Sequence, residues 1–172
     1  MHDYSFGTDW KVLTLLNTIS EAYQMEKDVI IWLNISHWQL VLSQLKIKAG
    51  DSIKLKGKVP TEAKGFAINL GRDGSDLMLH FNPRFESGGD TRTIVCNSMA
   101  GGKWGEEMRE SAFPFQQGEE VKICLSFDAK EVTVKMPGDQ EIKFPNRLGL
   151  ESAEFLSVDG DFKTTFLKFD KQ

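Results

Sequence analysis

The chain has 172 residues, a formal net charge of −4, 40% hydrophobic residues and 27% charged residues. A chain of this length buries roughly 70% of its unfolded surface, enough for one domain with a real core or one domain plus an appendage. This composition excludes a disordered chain, the weak acidity argues against a nucleic-acid or anionic-membrane binder, and no apolar run reaches the ~18 residues of a membrane span.

The first 38 residues differ from the rest. They carry a net charge of −3, leaving −1 for the other 134, and hold three of the four tryptophans, Trp10, Trp32 and Trp38. Met1-His2-Asp3-Tyr4 lacks the basic and apolar regions of a secretory signal peptide, so the expectation is a cytosolic protein with reduced thiols. Val12, Leu15, Leu16, Ile19 and Tyr23 predict one short helix around 10–25. Val29-Ile30-Ile31-Trp32-Leu33 reads as a strand or a buried segment, and so much apolar surface predicts that 29–38 packs on the following domain or continues into its first strand. Asn34-Ile35-Ser36 is a glycosylation sequon, usable only in the secretory lumen.

From about residue 39 apolar residues recur with a period of two. Ile53, Leu55, Gly57 and Val59 alternate with polar neighbours, as do Phe66, Ile68 and Leu70, then Val121, Ile123, Leu125 and Phe127, then Val132, Val134 and Met136, while Phe162 and Phe166 flank Thr164. Such alternation marks strands with one buried face. Turn residues separate them at 49–51, 71–74, 87–90, 137–139 and 159–161. About ten short strands at this spacing predict an all-β antiparallel sandwich rather than a βαβ fold.

The most informative stretch is Leu77-Met78-Leu79-His80-Phe81-Asn82-Pro83-Arg84-Phe85. Leu77, Leu79, Phe81 and Phe85 share one parity and are expected to face the core; His80, Asn82 and Arg84 share the other. Three different hydrogen-bonding groups along one face suit a ligand bearing hydroxyls, although a solvated outer face would show the same alternation. Thr93, Val95 and Asn97 follow on the next strand, and pairing through Ser87-Gly88-Gly89-Asp90 would bring Asn97 onto the same face. Trp104, set among Gly101, Gly102 and Gly105, is poorly placed for a core, whereas an exposed indole offers a platform to the C–H face of a sugar ring. Glu107 and Arg109 stand two apart and are positioned to pair.

These residues resemble the galectins, the β-galactoside-binding lectins. The family pattern His-x-Asn-Pro-Arg stands here as His80 to Arg84, Val-x-Asn as Val95 to Asn97, and Trp-x-x-Glu-x-Arg as Trp104 to Arg109; Ala112-Phe113-Pro114-Phe115, Phe144-Pro145-Asn146-Arg147-Leu148 and Gly160-Asp161-Phe162 are also family-like. The resemblance covers about 39–170 and is nearest the single-domain, prototype kind. It implies a jelly-roll sandwich that binds β-galactoside glycans and glycoproteins without metal or cofactor. It assigns His80, Asn82 and Arg84 to galactose, chiefly its axial 4-hydroxyl, Asn97 to the 6-hydroxyl with help from Glu107, Trp104 to stacking, and Glu107 and Arg109 to the second sugar, with Glu107 also orienting Arg84; Val95 is chiefly a packing position. Gly88 stands where relatives often carry His, which affects contacts beyond galactose, while Asp90 is retained. The resemblance further implies synthesis in the cytosol, export without a signal peptide, and a homodimer paired along the edge formed by the terminal strands, an edge that the 38-residue extension is placed to cover.

Two other functions compete with this one. A glycosidase needs two carboxylates flanking one bond, and Glu106 and Glu107, adjacent on a strand, would point to opposite faces. A structural or protein-interaction module that has lost sugar binding would be expected to lack His80, Arg84 or Trp104. His2, His37 and His80 are scattered, with no Cys or His cluster for a metal, and Cys96 and Cys124 are expected to pack in or beside a sheet.

Overall fold

The computed structural model describes residues 29–32 and 39–172; the helix expected over 10–25 and the sequon at Asn34 lie outside the described residues. Fifteen strands are described: β1 (Val29–Trp32), β2 (Leu40–Leu42), β3 (Ile47–Lys48), β4 (Ser52–Lys58), β5 (Phe66–Asp73), β6 (Asp76–Ser87), β7 (Asp90–Ala100), β8 (Lys103–Trp104), β9 (Met108–Glu110), β10 (Glu120–Phe127), β11 (Glu131–Met136), β12 (Gln140–Pro145), β13 (Ser152–Ala153), β14 (Phe155–Gly160) and β15 (Lys163–Asp170). One sheet runs β1-β15-β4-β10-β11-β12. The other runs β2-β14-β5-β6-β7-β8, with β9 also on β7, and β3 pairs with β13. This is the expected all-β antiparallel sandwich, with more and shorter strands than the periodicity alone suggests.

The alternating residues meet between the sheets. Ile53, Leu55, Ile123, Leu125, Val132 and Val134 come from one sheet, and Ile68, Leu70, Leu79, Phe81, Ile94 and Cys96 from the other; each is at most 1% exposed. Burying one such Leu, Ile or Val contributes about 1.5–3 kcal/mol. Phe115 closes one end of the core, edge-on to Phe66 and Phe113 at 5.5 Å. It belongs to a family-like segment that the alternation could not place.

Two bulges shift the parity. Leu70 pairs with Leu79 but Gly71 pairs with Leu77, so Met78 is an extra residue in β6. Met78 joins the core and Leu77 turns to the His80 side, where it lines a groove instead of facing the core as expected. A second extra residue, Thr165, lies between Thr164 (opposite Gly57) and Phe166 (opposite Lys56). Phe166 is thereby turned out of the core and lies under Lys56, whose Nζ is 5.1 Å from its ring centroid.

The segment 29–32 is a strand. It pairs antiparallel with β15, Val29 opposite Phe169 and Trp32 opposite Phe166. It thus covers the edge of the sheet that β15 would otherwise form, while β2, which follows in the chain, forms an edge of the other sheet. No helix among the described residues is long and apolar enough to cross a membrane.

Candidate functional site

The site is built on one face of β6 and β7. His80, Asn82 and Arg84 alternate with the buried Phe81, Pro83 and Phe85, and the register places His80 opposite Asn97, Asn82 opposite Val95 and Arg84 opposite Thr93. The two strands are joined by Gly88 and Gly89, both left-handed at φ 58° and 83°, the conformation a two-residue hairpin turn needs. That turn delivers Asp90 to Arg84: Arg84 Nη1 donates to Asp90 Oδ2 at 2.7 Å, and Arg84 Nε donates to Asn82 Oδ1 at 2.9 Å. Asn82 is held in turn by donating to the Phe66 carbonyl at 2.7 Å.

A second tight hairpin through Gly101 and Gly102 sets Trp104 opposite Met99. Its indole is 53% exposed, although Trp is normally a well-buried residue type, and its ring centroid is 4.7 Å from that of His80 at an interplanar angle of 57°. The polar row and the indole platform expected from the sequence therefore adjoin. They bound a groove of about 420 Å³ lined by His80, Arg84, Val95, Asn97, Trp104 and Glu107. Asn82 and Arg109 join the site through these and neighbouring residues, Asn82 bonded to Arg84 and Arg109 to Asp90 and Glu107. A second groove of about 450 Å³ continues from His80 and Trp104 past Leu77, Asn69 and Asp159 toward Gln39.

The charges form a connected chain. Arg109 donates to both oxygens of Asp90 at 3.2 Å, and its Nη1 lies 2.7 Å from Glu107. Asp90 therefore serves two arginines. The hydrogen bond from Arg109 and the nearby Arg84 hold its carboxyl below the usual carboxylate range. The expectation that Glu107 orients Arg84 is corrected: the carboxylate on Arg84 is Asp90, which the turn brings across the hairpin, while Glu107 is taken by Arg109. Glu106 and Glu107 are also not on a strand; they lie in the irregular segment between β8 and β9, so the opposite-faces argument does not apply to them. Burial pushes the His80 imidazole pKa down, and Arg84 adds to the effect; Asp159 and Glu107 act the other way.

Residues that sequence reasoning missed stand behind these side chains. Nδ1 of His80 shares a 2.6 Å hydrogen bond with Oδ1 of Asn69. Asn69 donates to Ser157 Oγ at 2.9 Å and to Asp159 Oδ2 at 3.2 Å, and Gln39 donates to Asp159 Oδ1 at 3.0 Å. Arg147, from the family-like Phe-Pro-Asn-Arg run, donates to the Glu106 carbonyl at 2.8 Å and to Ser98 Oγ at 3.1 Å, bracing the segment that carries Trp104 and Glu107. Among the described residues no group of three or more His, Cys, Asp or Glu is placed to hold a metal ion. Cys96 and Cys124 are unpaired. The first is a core residue and the second is half-buried on the opposite sheet.

Comparison with known proteins gives this geometry relatives. Residues 37–169 match the family described as galactoside-binding lectin. A 16 kDa β-galactoside-binding lectin of Gallus gallus is 56% identical over 130 residues, which are 76% of this chain and 96% of that protein. Among solved structures, a homodimeric agglutinin from chicken liver superposes with a TM-score of 0.75 at 55% identity, covering 77% of this chain and 99% of the agglutinin. A toad ovary galectin in complex with thio-digalactose superposes with the same TM-score at 38% identity, covering 78% of this chain and all of the galectin.

Proposed function

The chain belongs to the galactoside-binding lectin family, and from that premise we propose how it works: as a β-galactoside-binding lectin, it holds a terminal galactose against Trp104 and the polar row of His80, Asn82 and Arg84. The supporting observation is the tilted Trp104 indole 4.7 Å from His80, beside an arginine fork held by Asp90. An apolar platform next to fixed donors and acceptors matches a sugar, whose C–H face is apolar and whose hydroxyls project sideways. An axial 4-hydroxyl reaches His80 and Arg84 together; an equatorial one would leave these groups desolvated and unpaired, which disfavours glucose. Asn97 and Glu107 line the groove where a 6-hydroxyl and a second sugar extend, with Arg109 reached through Glu107.

Binding is non-covalent, metal-free and non-catalytic in this reading, since Glu107 is engaged by Arg109. Residues 39–172 form the recognition domain and 1–38 an extension. The two unpaired thiols fit synthesis in a reducing cytosol, and the family resemblance supports signal-peptide-independent export to glycans outside the cell. The chicken liver agglutinin is homodimeric, and 99% of it is matched by 77% of this chain. In this chain β1 takes the β15 edge, and a strand edge pairs only once, so the full chain is more monomeric than the domain without its extension.

Retention on immobilised lactose tests the reading. Elution by free lactose and not by cellobiose, which differs at the 4-hydroxyl, is the expected result; equal elution by both would overturn the axial-hydroxyl assignment. A shallow groove predicts a dissociation constant of roughly 0.01–1 mM.

A further inference from the structure

His80 is a hydrogen-bonding group whose two ring nitrogens are chemically different, and the structure assigns which one carries the proton. The assignment starts at Asp159. An ionised carboxylate only accepts hydrogen bonds, so the end of Asn69 within 3.2 Å of Asp159 Oδ2 is its amide NH₂. The same NH₂ donates to Ser157 Oγ at 2.9 Å, a hydroxyl itself 3.4 Å from the same carboxylate oxygen. The other end of Asn69, its carbonyl oxygen, therefore faces His80 Nδ1 at 2.6 Å. A carbonyl also only accepts, so Nδ1 holds the hydrogen. In a neutral imidazole Nε2 then bears the lone pair, and Nε2 makes no hydrogen bond among the described residues.

We propose that Asp159 is a positioning residue that, through Asn69, fixes His80 as an acceptor toward the groove. The proposal rests on the galactoside reading and deepens it. A ligand hydroxyl that donates to Nε2 still has lone pairs free, and Nη2 of Arg84, without a hydrogen-bond partner among the described residues, is the donor for one of them. One hydroxyl is thus read in both directions, as donor and as acceptor, a requirement that neither His80 nor Arg84 imposes alone. Asn69 and Ser157 are buried, at 8% and 4% exposure, while Asp159 is half-buried at the edge of the second groove. Nothing in the alternation pattern points to it, because His80, Asn69 and Asp159 come from β6, β5 and β14 and meet only through the sheet register, His80 opposite Asn69 and Asn69 opposite Ser157.

The test labels the full chain with ¹⁵N-histidine and reads the His80 nitrogens by long-range proton–nitrogen correlation in mildly alkaline buffer, without sugar, beside a lactose titration. Parent protein is expected to show the Nδ1–H tautomer. Asp159→Asn lets Asn69 turn over, because an amide at 159 can donate as well as accept; the expected result is a mixed or reversed tautomer and a roughly tenfold loss of lactose affinity, the cost of a hydrogen bond to a wrongly polarised group. The exchanged pair Asn69→Asp with Asp159→Asn restores an acceptor facing Nδ1 and should recover the parent tautomer, a rescue that a merely structural role for Asp159 would not give. An Nε2–H tautomer in the parent overturns the proposal, as does an Asp159→Asn variant whose tautomer is unchanged. Parent protein with the Nδ1–H tautomer that fails to bind lactose counts against the galactoside reading and leaves the assignment of His80 supported.

Discussion

Arg84 Nη1 lies 2.7 Å from Asp90 Oδ2, and both side chains are largely withdrawn from solvent, 17% and 18% exposed. The turn residue Gly88 lies against the same guanidinium, its φ of 58° in the left-handed region that glycine adopts most readily. Asp90→Ala removes the acceptor shared by Arg84 and Arg109. It is expected to weaken lactose binding roughly tenfold, as loss of a charge-assisted hydrogen bond does. Titration calorimetry checks this; unchanged affinity would detach Asp90 from the site.

Trp104→Ala removes the platform and leaves every hydrogen bond of the polar row in place. The expected loss is about 1–3 kcal/mol of binding free energy, with Phe or Tyr at 104 recovering part of it. Thermal unfolding of the variant should be nearly unchanged, since the indole is half exposed. A variant that binds normally but melts early would make the indole a structural element.

The depressed pKa of His80 has two consequences with the same sign. The unfolded imidazole takes up a proton near 6.5, whereas the folded one does so only at lower pH. The unfolded chain therefore binds more protons in that window, and stability declines as pH falls from about 6.5 to the folded value. Lactose affinity, which needs the neutral ring, should hold through pH 6.5 and fail only below it. Lactose binding and thermal unfolding measured across this range, with the unfolding of His80→Gln as the control that lacks the step, decide the point; a decline of binding starting above 6.5 would contradict it.

Prolines at 30 and 31 test the edge. Successive strand amides point to opposite sides, so Ile30→Pro with Ile31→Pro removes at least one N–H facing β15. By sedimentation the parent should be monomeric, while the double variant and a chain starting at Gln39 should dimerise and agglutinate cells, since cross-linking needs two sites held apart. The shorter chain is a sound comparison because complete relatives correspond to that part alone. A dimeric parent that agglutinates as strongly would refute the role of β1.

Burial pushes the Cys96 thiol up to about 12 and also raises that of the half-buried Cys124. Alkylating reagents react with the thiolate, so neither should label quickly at neutral pH, Cys124 going first and Cys96 only on unfolding. Mass spectrometry over time checks the order.

Much of the site was legible because a strand sorts its side chains by parity: His80, Asn82 and Arg84 follow from β6 alone, and Trp104 from the glycines around it. Parity fails where a strand gains a residue. Met78 and Thr165 turned Leu77 and Phe166 to the faces opposite those expected, and no local composition marks a bulge. Asn69 and Asp159 are not legible in the sequence for another reason. They reach His80 only through the lateral order β6-β5-β14, which joins residues about eighty positions apart. The partner of Arg84 differs from the one the resemblance implies: the Gly88-Gly89 turn folds Asp90, six positions on, back onto Arg84, while Glu107 is taken by Arg109.

The pairing of β1 with β15 also sets a timetable. Val29 meets Phe169, so four rungs of ladder close nearly the whole described length of the chain. At ~5–20 residues per second of synthesis, β15 follows β1 out of the ribosome by roughly 7–28 s. During that interval Val-Ile-Ile-Trp is an apolar segment without its neighbour, and after folding it is an edge strand whose pairing closes the longest loop of any described ladder. Hydrogen exchange should find it opening first, well below the free energy of global unfolding, so that the same four residues are both the last to arrive in the native sheet and the first to leave it.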